Sequence, residues 1–103
     1  MEKTTFKEGI QLINTEKIDA KKLFTSEKCD AIQINLDPGG KIEKHSTEED
    51  VLFYIVKGKV TASIGNEELE AEKETIIPCS AGIVKSLLNT GDEKASILVV
   101  KLK

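Results

Sequence analysis

The sequence predicts an all-β domain, closed or nearly closed by antiparallel strands, and three observations support this prediction. Short apolar stretches alternate with polar residues at a period of two, as in strands with one buried face. Turn residues separate these stretches at short intervals. No segment after residue 20 shows a sustained helical period. The pattern amounts to roughly eight to ten short strands, which is typical of β-sandwiches and β-barrels.

The first elements are predicted from three neighbouring stretches. Residues 15–24, TEKIDAKKLF, are expected to contain a helical turn. Residues 30–36, DAIQINL, alternate between apolar and polar side chains and predict a strand with one buried face. The sequence DPGG at 37–40 predicts a turn, because proline fixes one backbone dihedral and glycine tolerates a positive one.

The later strands follow in order. Residues 51–57, VLFYIVK, are apolar on both faces and predict a strand that is covered on both sides. Residues 59–64, KVTASI, alternate again, and Gly65-Asn66 predicts a tight hairpin to EELEAE. Strands in ETIIP and GIVKSLLN, an NTGDE turn and a closing strand in ASILVVKL complete the pattern.

The strands that are apolar on both faces need a cover for their outer face. That cover is either the N-terminal segment, residues 1–29, or a second copy of the protein. A second copy would form a closed, symmetric assembly, so we expect a homodimer.

Length and composition predict one domain over residues 1–103 and exclude several functions. The net charge is −3 and the charges are interspersed, without the basic footprint that nucleic-acid binding needs. No apolar run has the length of a signal peptide or a bilayer span, so we expect a cytoplasmic protein without membrane contact.

All fifteen basic residues are lysines, so no planar arginine fork is available for phosphates. Cys29 and Cys79 lack a CxxC spacing and are expected to be free thiols, with a disulfide or a catalytic thiol as the alternative.

The stretch PGGKIEKHSTEEDVLFYIVKG carries the only histidine of the chain, His45. Its spacing resembles the first motif of the cupin superfamily, small double-stranded β-helix barrels related to jelly rolls, which runs G-x5-H-x-H-x3-4-E-x6-G. With Gly39 and Gly58 as the two glycines, His45 stands at the first histidine, Thr47 at the second and Val51 at the glutamate. The resemblance therefore implies that these three side chains face the barrel mouth.

The second cupin motif, G-x5-P-x-G-x2-H-x3-N, is similar to IIPCSAGIVKSLLNTGDE, which contains Pro78, Gly82 and Asn89. Counting back from Asn89 places Lys85 at the histidine, although the gap from proline to glycine is two residues longer than in the motif. The resemblance covers about residues 30–102 and implies a jelly-roll barrel core there.

The departures from the two motifs concern the metal site. Cupins that bind iron, manganese, zinc, nickel or copper use three histidines and a glutamate that point into the barrel mouth. This chain keeps His45, whereas Thr47 is a poor ligand, Val51 is none, and a protonated Lys85 repels a cation. We therefore expect no metal cofactor.

A reduced metal site remains the alternative. A strand bulge could bring Asp50 to the position that Val51 holds, and Cys79 lies near the second motif. His45, Asp50 and Cys79 are thus the weak candidates for a single divalent transition metal. Otherwise His45 is either a repurposed pocket residue or a hydrogen-bonded histidine at the barrel mouth without a ligand.

Lys85 is expected to point into the barrel, because Ile83 and Leu87 share its face of the strand. A buried ammonium is costly unless it is paired, with Glu43 or Asp50 as the expected partner. Three roles stay open: a structural ion pair or a snorkelling lysine, an anchor for an anionic or polyhydroxylated ligand, and a catalytic amine.

Three functions are consistent with these residues. The first is a binding module for a small molecule in a pocket formed by His45, Thr47, Val51 and Lys85. The second is a metal-dependent enzyme of dioxygenase or sugar isomerase/epimerase type around His45, and the third is a structural dimer with a filled barrel. No complete catalytic set of residues is present, so we expect no catalytic residue and favour the binding module.

Overall fold

The structure is a computed structural model that describes residues 2–103, and most of these residues lie in two antiparallel sheets. A single 3-10 turn, Phe6–Glu8, precedes the strands, and no helix in the described range is long and apolar enough to cross a membrane. The ten strands are β1 (Ile10–Asn14), β2 (Ile18–Thr25), β3 (Cys29–Leu36), β4 (Lys41–His45), β5 (Asp50–Lys57), β6 (Lys59–Ile64), β7 (Glu67–Glu72), β8 (Thr75–Cys79), β9 (Lys85–Asn89) and β10 (Ala95–Leu102). The all-β prediction is confirmed.

The two sheets form a jelly-roll barrel around one core. The first sheet has the strand order β1-β2-β3-β10-β5-β8 and the second has the order β4-β9-β6-β7. Both sheets turn an apolar face inward, and the buried side chains include Leu36, Phe53, Ile55, Leu87 and Ile97. The core is thus shared between strands that are distant in sequence.

Strand β5 bears on the prediction of a strand that is covered on both faces. Val51, Phe53 and Ile55 face the core, but Tyr54 is 36% exposed and Val56 is 48% exposed on the outer face. Within this chain the strand is therefore covered on one face only, and the cover of the other face by a second copy stays a prediction. Its apolar outer side chains do not signal a second buried face within this chain.

The N-terminal segment corrects the predictions of a helical turn and of a cover over the outer face. Residues 18–25 form β2 rather than contributing to a helical turn, because this stretch pairs along the whole of β3 and buries Ala20 against the core. Strand β1 then pairs with β2 at the edge of the sheet. Both strands lie beside β3 and extend the sheet, so this segment does not lie over the outer face of β5.

Two glycines fix the turns around β6. Gly65 has a φ of 60° in the predicted hairpin between β6 and β7, and Asn66 does not share the positive φ, as in a type II′ turn. Gly58 has a φ of 83°, and a Cβ atom there would lie 2.7 Å from the Cα of Ala95. Glycine is thus required at the bend from β5 to β6 both by conformation and by space.

Asn89 at the end of β9 joins the two sheets through hydrogen bonds of its side chain. Its side-chain amide donates to the carbonyl oxygens of Leu36 (2.9 Å) and Glu93 (2.8 Å), and its Oδ1 accepts from the backbone N–H of Gly91 (2.9 Å). The side chain is 2% exposed. Asn89 therefore satisfies one buried backbone group, the carbonyl of Leu36, and two partly buried ones at Glu93 and Gly91.

Candidate functional site

A cavity of about 150 Å³ lies between the two sheets at one end of the barrel. Ten of its lining residues are apolar and four are polar, namely His45, Thr47, Lys85 and Lys101. No acidic residue is among the lining residues that the structure describes. The cavity is an apolar chamber whose polar groups include two lysines.

The four residues that the sequence predicts for a pocket all line this cavity. His45 ends β4 and is the cross-strand partner of Lys85, which begins β9. Thr47 lies in the loop between β4 and β5, and Val51 is a buried residue near the start of β5. The register drawn from the two motifs therefore brings these side chains together, and their role in binding a ligand stays a prediction.

Lys85 is buried, with 2% of its surface exposed, and its Nζ donates a hydrogen bond to Thr47 Oγ1 at 2.8 Å. Within residues 2–103, no carboxylate oxygen lies within the 4.0 Å of an ion pair with this ammonium. Thr47 Oγ1 itself donates to the carbonyl oxygen of Glu49 at 2.8 Å, so it offers Lys85 only a lone pair. Two of the three N–H groups of Lys85 are therefore left without an acceptor in the described part of the chain.

The carboxylates expected to pair with Lys85 are engaged elsewhere. The Glu43 side chain is 82% exposed and lies 3.8 Å from the Nζ of Lys41. Asp50 is exposed at the start of β5 and accepts a hydrogen bond from the backbone N–H of Ala81 at 2.8 Å. The expected ion pair is thus wrong, because both carboxylates lie outside the cavity lining.

His45 is exposed at the mouth of the cavity, and its ring is held by one hydrogen bond. The Nδ1 atom lies 3.0 Å from the backbone oxygen of Glu43. Because a carbonyl oxygen only accepts, Nδ1 must carry the hydrogen in this contact, and in the neutral ring Nε2 is then an acceptor. The ring thus has a fixed orientation and one nitrogen available to a ligand or to water.

The residues at the family's ligand positions do not fit a metal ion. A threonine hydroxyl that is already donating, a valine and an ammonium offer no set of donors beside His45. The weak candidates are not brought together either, because Cys79 is buried opposite Val51 whereas Asp50 is directed to Ala81. Over residues 2–103, no group of three or more His, Cys, Asp or Glu side chains is placed to hold a metal ion.

Lys101 is a lining residue that the sequence analysis missed. It lies on β10 opposite Val51 of β5 and Asp30 of β3, on the same face as the core residues Ile97 and Val99. This period-two alternation with Ile97 and Val99 is the signal that could have found it. With Lys101, the cavity carries a second positive side chain near its mouth.

Leu12 and Ile13 of β1 also line the cavity and were missed. Both are partly exposed, at 45% and 36%, so they form part of the rim rather than the core. Their position depends on the pairing of β1 with β2, which no local pattern in the sequence indicates. The N-terminal segment thus contributes to the mouth of the barrel.

Asp30 lies in a cluster of charged side chains near this end of the barrel. Thr25 Oγ1 and Lys103 Nζ donate hydrogen bonds to its carboxylate, and these contacts, with the charges of Lys103 and Lys22, lower the pKa of Asp30 from 3.8 to about 2. The Asp30 carboxylate is thus engaged by these groups and is not part of the cavity lining.

Comparison with known proteins identifies the family to which this architecture belongs. The family model described as the cupin domain matches residues 33–101 of the chain. A search of curated proteins finds no match. The matched range falls within the residues 30–102 on which the resemblance of the sequence rests.

Solved structures agree in fold over the whole length. The TT1209 protein from Thermus thermophilus is 27% identical, with a TM-score of 0.85, and the match covers 99% of this chain and 97% of that one. A predicted oxalate decarboxylase from Thermotoga maritima is 17% identical, with a TM-score of 0.84 and 96% of each chain covered. KdgF from a Halomonas species is 13% identical, with a TM-score of 0.84, and the match covers 100% of this chain and 94% of that one. With a family model matched over most of its length and this agreement in fold, the chain belongs to the cupin family.

Proposed function

We propose that this cupin barrel binds a small organic anion in its mouth, with Lys85 as the anchor. The observation that carries the proposal is a buried ammonium that lines an apolar cavity and has no carboxylate partner in residues 2–103. Desolvating a charge without compensation is costly, and an anionic ligand would supply the missing countercharge.

The electrostatics of the cavity favour an anion over a cation. Lys85 and Lys101 both line it, and no acidic residue in the described chain does. A metal ion or an organic cation would meet repulsion from both ammonium groups. An anion would be attracted by both and would accept hydrogen bonds from the free N–H groups of Lys85.

The cavity also argues for binding rather than for a filled structural barrel. Side chains fill small barrels when no ligand is held. Here a space of about 150 Å³ remains beside the buried ammonium. A volume of this size, lined by apolar side chains, accommodates a small molecule.

The enzyme alternative receives less support from the same residues. Thr47, Val51 and Lys85 replace three of the four ligands by which metal-dependent cupins work, and His45 Nδ1 is engaged with a backbone oxygen. We therefore propose a degenerate metal site that has become a binding site. Its ligand is held and not transformed.

A thermal-shift screen tests the proposal. Small organic monoanions, dianions and neutral compounds are added to the wild-type protein and to Lys85→Met, with Lys73→Met as the matched control because Lys73 is exposed in the turn between β7 and β8. We expect some anions to raise the Tm of the wild type and of Lys73→Met but not of Lys85→Met. Stabilisation by neutral compounds alone, or equal stabilisation of Lys85→Met, would contradict the proposal.

A further inference from the structure

We infer that the ligand is a monocarboxylate with a short apolar body of about six to eight non-hydrogen atoms, an inference that rests on the proposed function and narrows it. Its carboxylate would accept hydrogen bonds from Lys85, and its body would lie against the apolar wall of the cavity. Three features of the cavity lead to this class of ligand.

The first feature is the geometry of the anchor. Lys85 Nζ donates to Thr47 Oγ1 at 2.8 Å, and the Thr47 hydroxyl hydrogen is used by the oxygen of Glu49 at 2.8 Å. This chain of bonds fixes the ammonium and leaves two of its N–H groups for a ligand. A carboxylate, with two oxygens and a full negative charge, matches these two donors.

The second feature is the wall of the cavity, which decides between an anionic and a polyhydroxylated ligand. Ten of the lining residues are apolar, among them Ile32, Ile42 and Phe53. A hydroxyl group placed against this wall would lose its hydrogen bonds to water without a replacement. The same reasoning disfavours a second carboxylate on the ligand, so one polar end and an apolar body fit best.

The third feature is size. The cavity has a volume of about 150 Å³, and an apolar cavity of roughly that volume holds a benzene molecule. Nucleotides and nucleotide sugars are far larger than this space. A branched or cyclic short-chain acid therefore fits the volume as well as the charge.

An NMR titration of the isotopically labelled protein tests the inference with four compounds. Isovalerate is the matched acid, isovaleramide is its neutral isostere, and gluconate and inorganic phosphate are hydrophilic anions. We expect isovalerate to shift the backbone resonances of Thr47, Lys85 and Lys101, with isovaleramide binding about ten- to hundredfold more weakly. This comparison uses only the wild-type protein.

Variants assign the effect to the anchor. Lys85→Met should weaken isovalerate binding by about ten- to hundredfold and leave the affinity for isovaleramide nearly unchanged. Lys73→Met should bind both compounds as the wild type does. Equal affinity of wild type and Lys85→Met for isovalerate would overturn the assignment of Lys85.

The remaining outcomes separate this inference from the proposed function. Gluconate or phosphate could shift the same resonances and bind more tightly than isovalerate. That result would overturn the inference of an apolar ligand body, while the proposed binding of an anion would stand. Equal affinity for isovaleramide and isovalerate would show that the negative charge of the ligand plays no part, and would overturn both the carboxylate and the proposed binding of an anion. No shift with any of the four compounds up to their solubility would overturn the inference and the proposed function together.

Discussion

At the scale of single residues, Lys85 is the side chain that departs most from ordinary packing. Its side chain is almost fully buried, and it carries a charge that no acidic neighbour balances within the described residues. Natural proteins tolerate such a cost where a ligand compensates for it. Its energetic consequence can be measured without knowing the ligand.

Lys85→Met should raise the free energy of unfolding of the ligand-free protein by about 1–3 kcal/mol, because the thioether fills the same volume without a buried charge. Urea unfolding of the wild type, Lys85→Met and the exposed-site control Lys73→Met measures this. Destabilisation by Lys85→Met would show instead that the hydrogen bond to Thr47 is a net structural gain.

The degenerate metal site gives a second prediction at this scale. We expect neither the wild-type protein nor His45→Ala, purified without chelators, to carry near-stoichiometric iron, copper, zinc or nickel in elemental mass spectrometry. The reason is that threonine, valine and lysine occupy the positions beside His45 where the family has ligands.

A matched positive control restores those ligands. The triple variant Thr47→His, Val51→Glu, Lys85→His returns a full set of donors to the cavity and should gain bound metal. Near-stoichiometric metal in the wild type that is lost in His45→Ala would instead favour the enzyme alternative.

Asp30 gives a prediction about pH. Its pKa is lowered to about 2 by the hydrogen bond from Thr25 and then by that from Lys103. A carboxyl group with a lowered folded-state pKa contributes stability above its unfolded value of 3.8 and loses it as the pH falls towards 2. The difference in unfolding free energy between the wild type and Asp30→Asn should therefore shrink over this range. A constant difference from above pH 3.8 down to about 2 would mean that protonation of Asp30 is not responsible.

At the scale of the elements, strand prediction succeeded where one face is buried in the core between the two sheets. DAIQINL alternates in sequence, and its alternate side chains are buried in β3. In VLFYIVK the inward face is buried as predicted, whereas this chain leaves the outer face uncovered, and the cover of that face by a second copy stays a prediction. Strand β2 was missed because its pairing with β3 outweighs the local helical preference of a lysine-rich stretch.

The sequence also predicted only part of the candidate site. The motif spacing located His45, Thr47, Val51 and Lys85 around one cavity, since spacing along paired strands fixes which side chains are neighbours. Hydrogen-bond partners are not encoded in spacing, so the carboxylates expected near Lys85 proved to be elsewhere. The rim residues Leu12 and Ile13 could not be predicted, because their position depends on the pairing of β1 with β2.

A substitution of Asn89 tests how much its hydrogen bonds between the two sheets stabilise the fold. Asn89→Leu should lower the free energy of unfolding by about 1–3 kcal/mol, because the buried carbonyl of Leu36 and the partly buried groups of Glu93 and Gly91 lose their partners. Asn14→Leu, an exposed position on the edge strand β1, serves as the control and should change it by less than about 0.5 kcal/mol. A loss in Asn89→Leu no larger than in the control would show that water satisfies these groups.

At the scale of the whole molecule, the outer face of the first sheet is uncharged across the middle of four neighbouring strands in the described chain, with Asp50 at the end of β5. The outward side chains there, on β3, β10, β5 and β8, are Ala31, Gln33, Asn35, Ser96, Leu98, Val100, Leu52, Tyr54, Val56, Ile76 and Pro78. Charged residues make up 32% of the chain, so their exclusion from this area stands out. Exposed apolar patches of this kind mark interaction surfaces.

We expect a second copy of this chain to cover that outer face. A two-fold contact places a surface against itself, and an uncharged surface with exposed Tyr54, Val56 and Ile76 meets its own copy without charge repulsion. Sedimentation equilibrium should give a dimer for the wild type, and Tyr54→Glu should shift it towards the monomer. Leu69→Glu, at an exposed apolar position on the other sheet, should leave the dimer intact. A wild-type monomer at all concentrations would contradict the expectation.

The central position of β10 also has a consequence for how the chain folds. This strand pairs with β3 on one side and β5 on the other, yet it follows all nine other strands in sequence. During synthesis the first sheet therefore cannot form completely until residues 95–102 have left the ribosome. Until then, the edges of β3 and β5 that pair with β10 have no partner. Closure over such long separations is slow, on the order of milliseconds to seconds. The nascent chain is thus most open to aggregation immediately before its last strand is inserted.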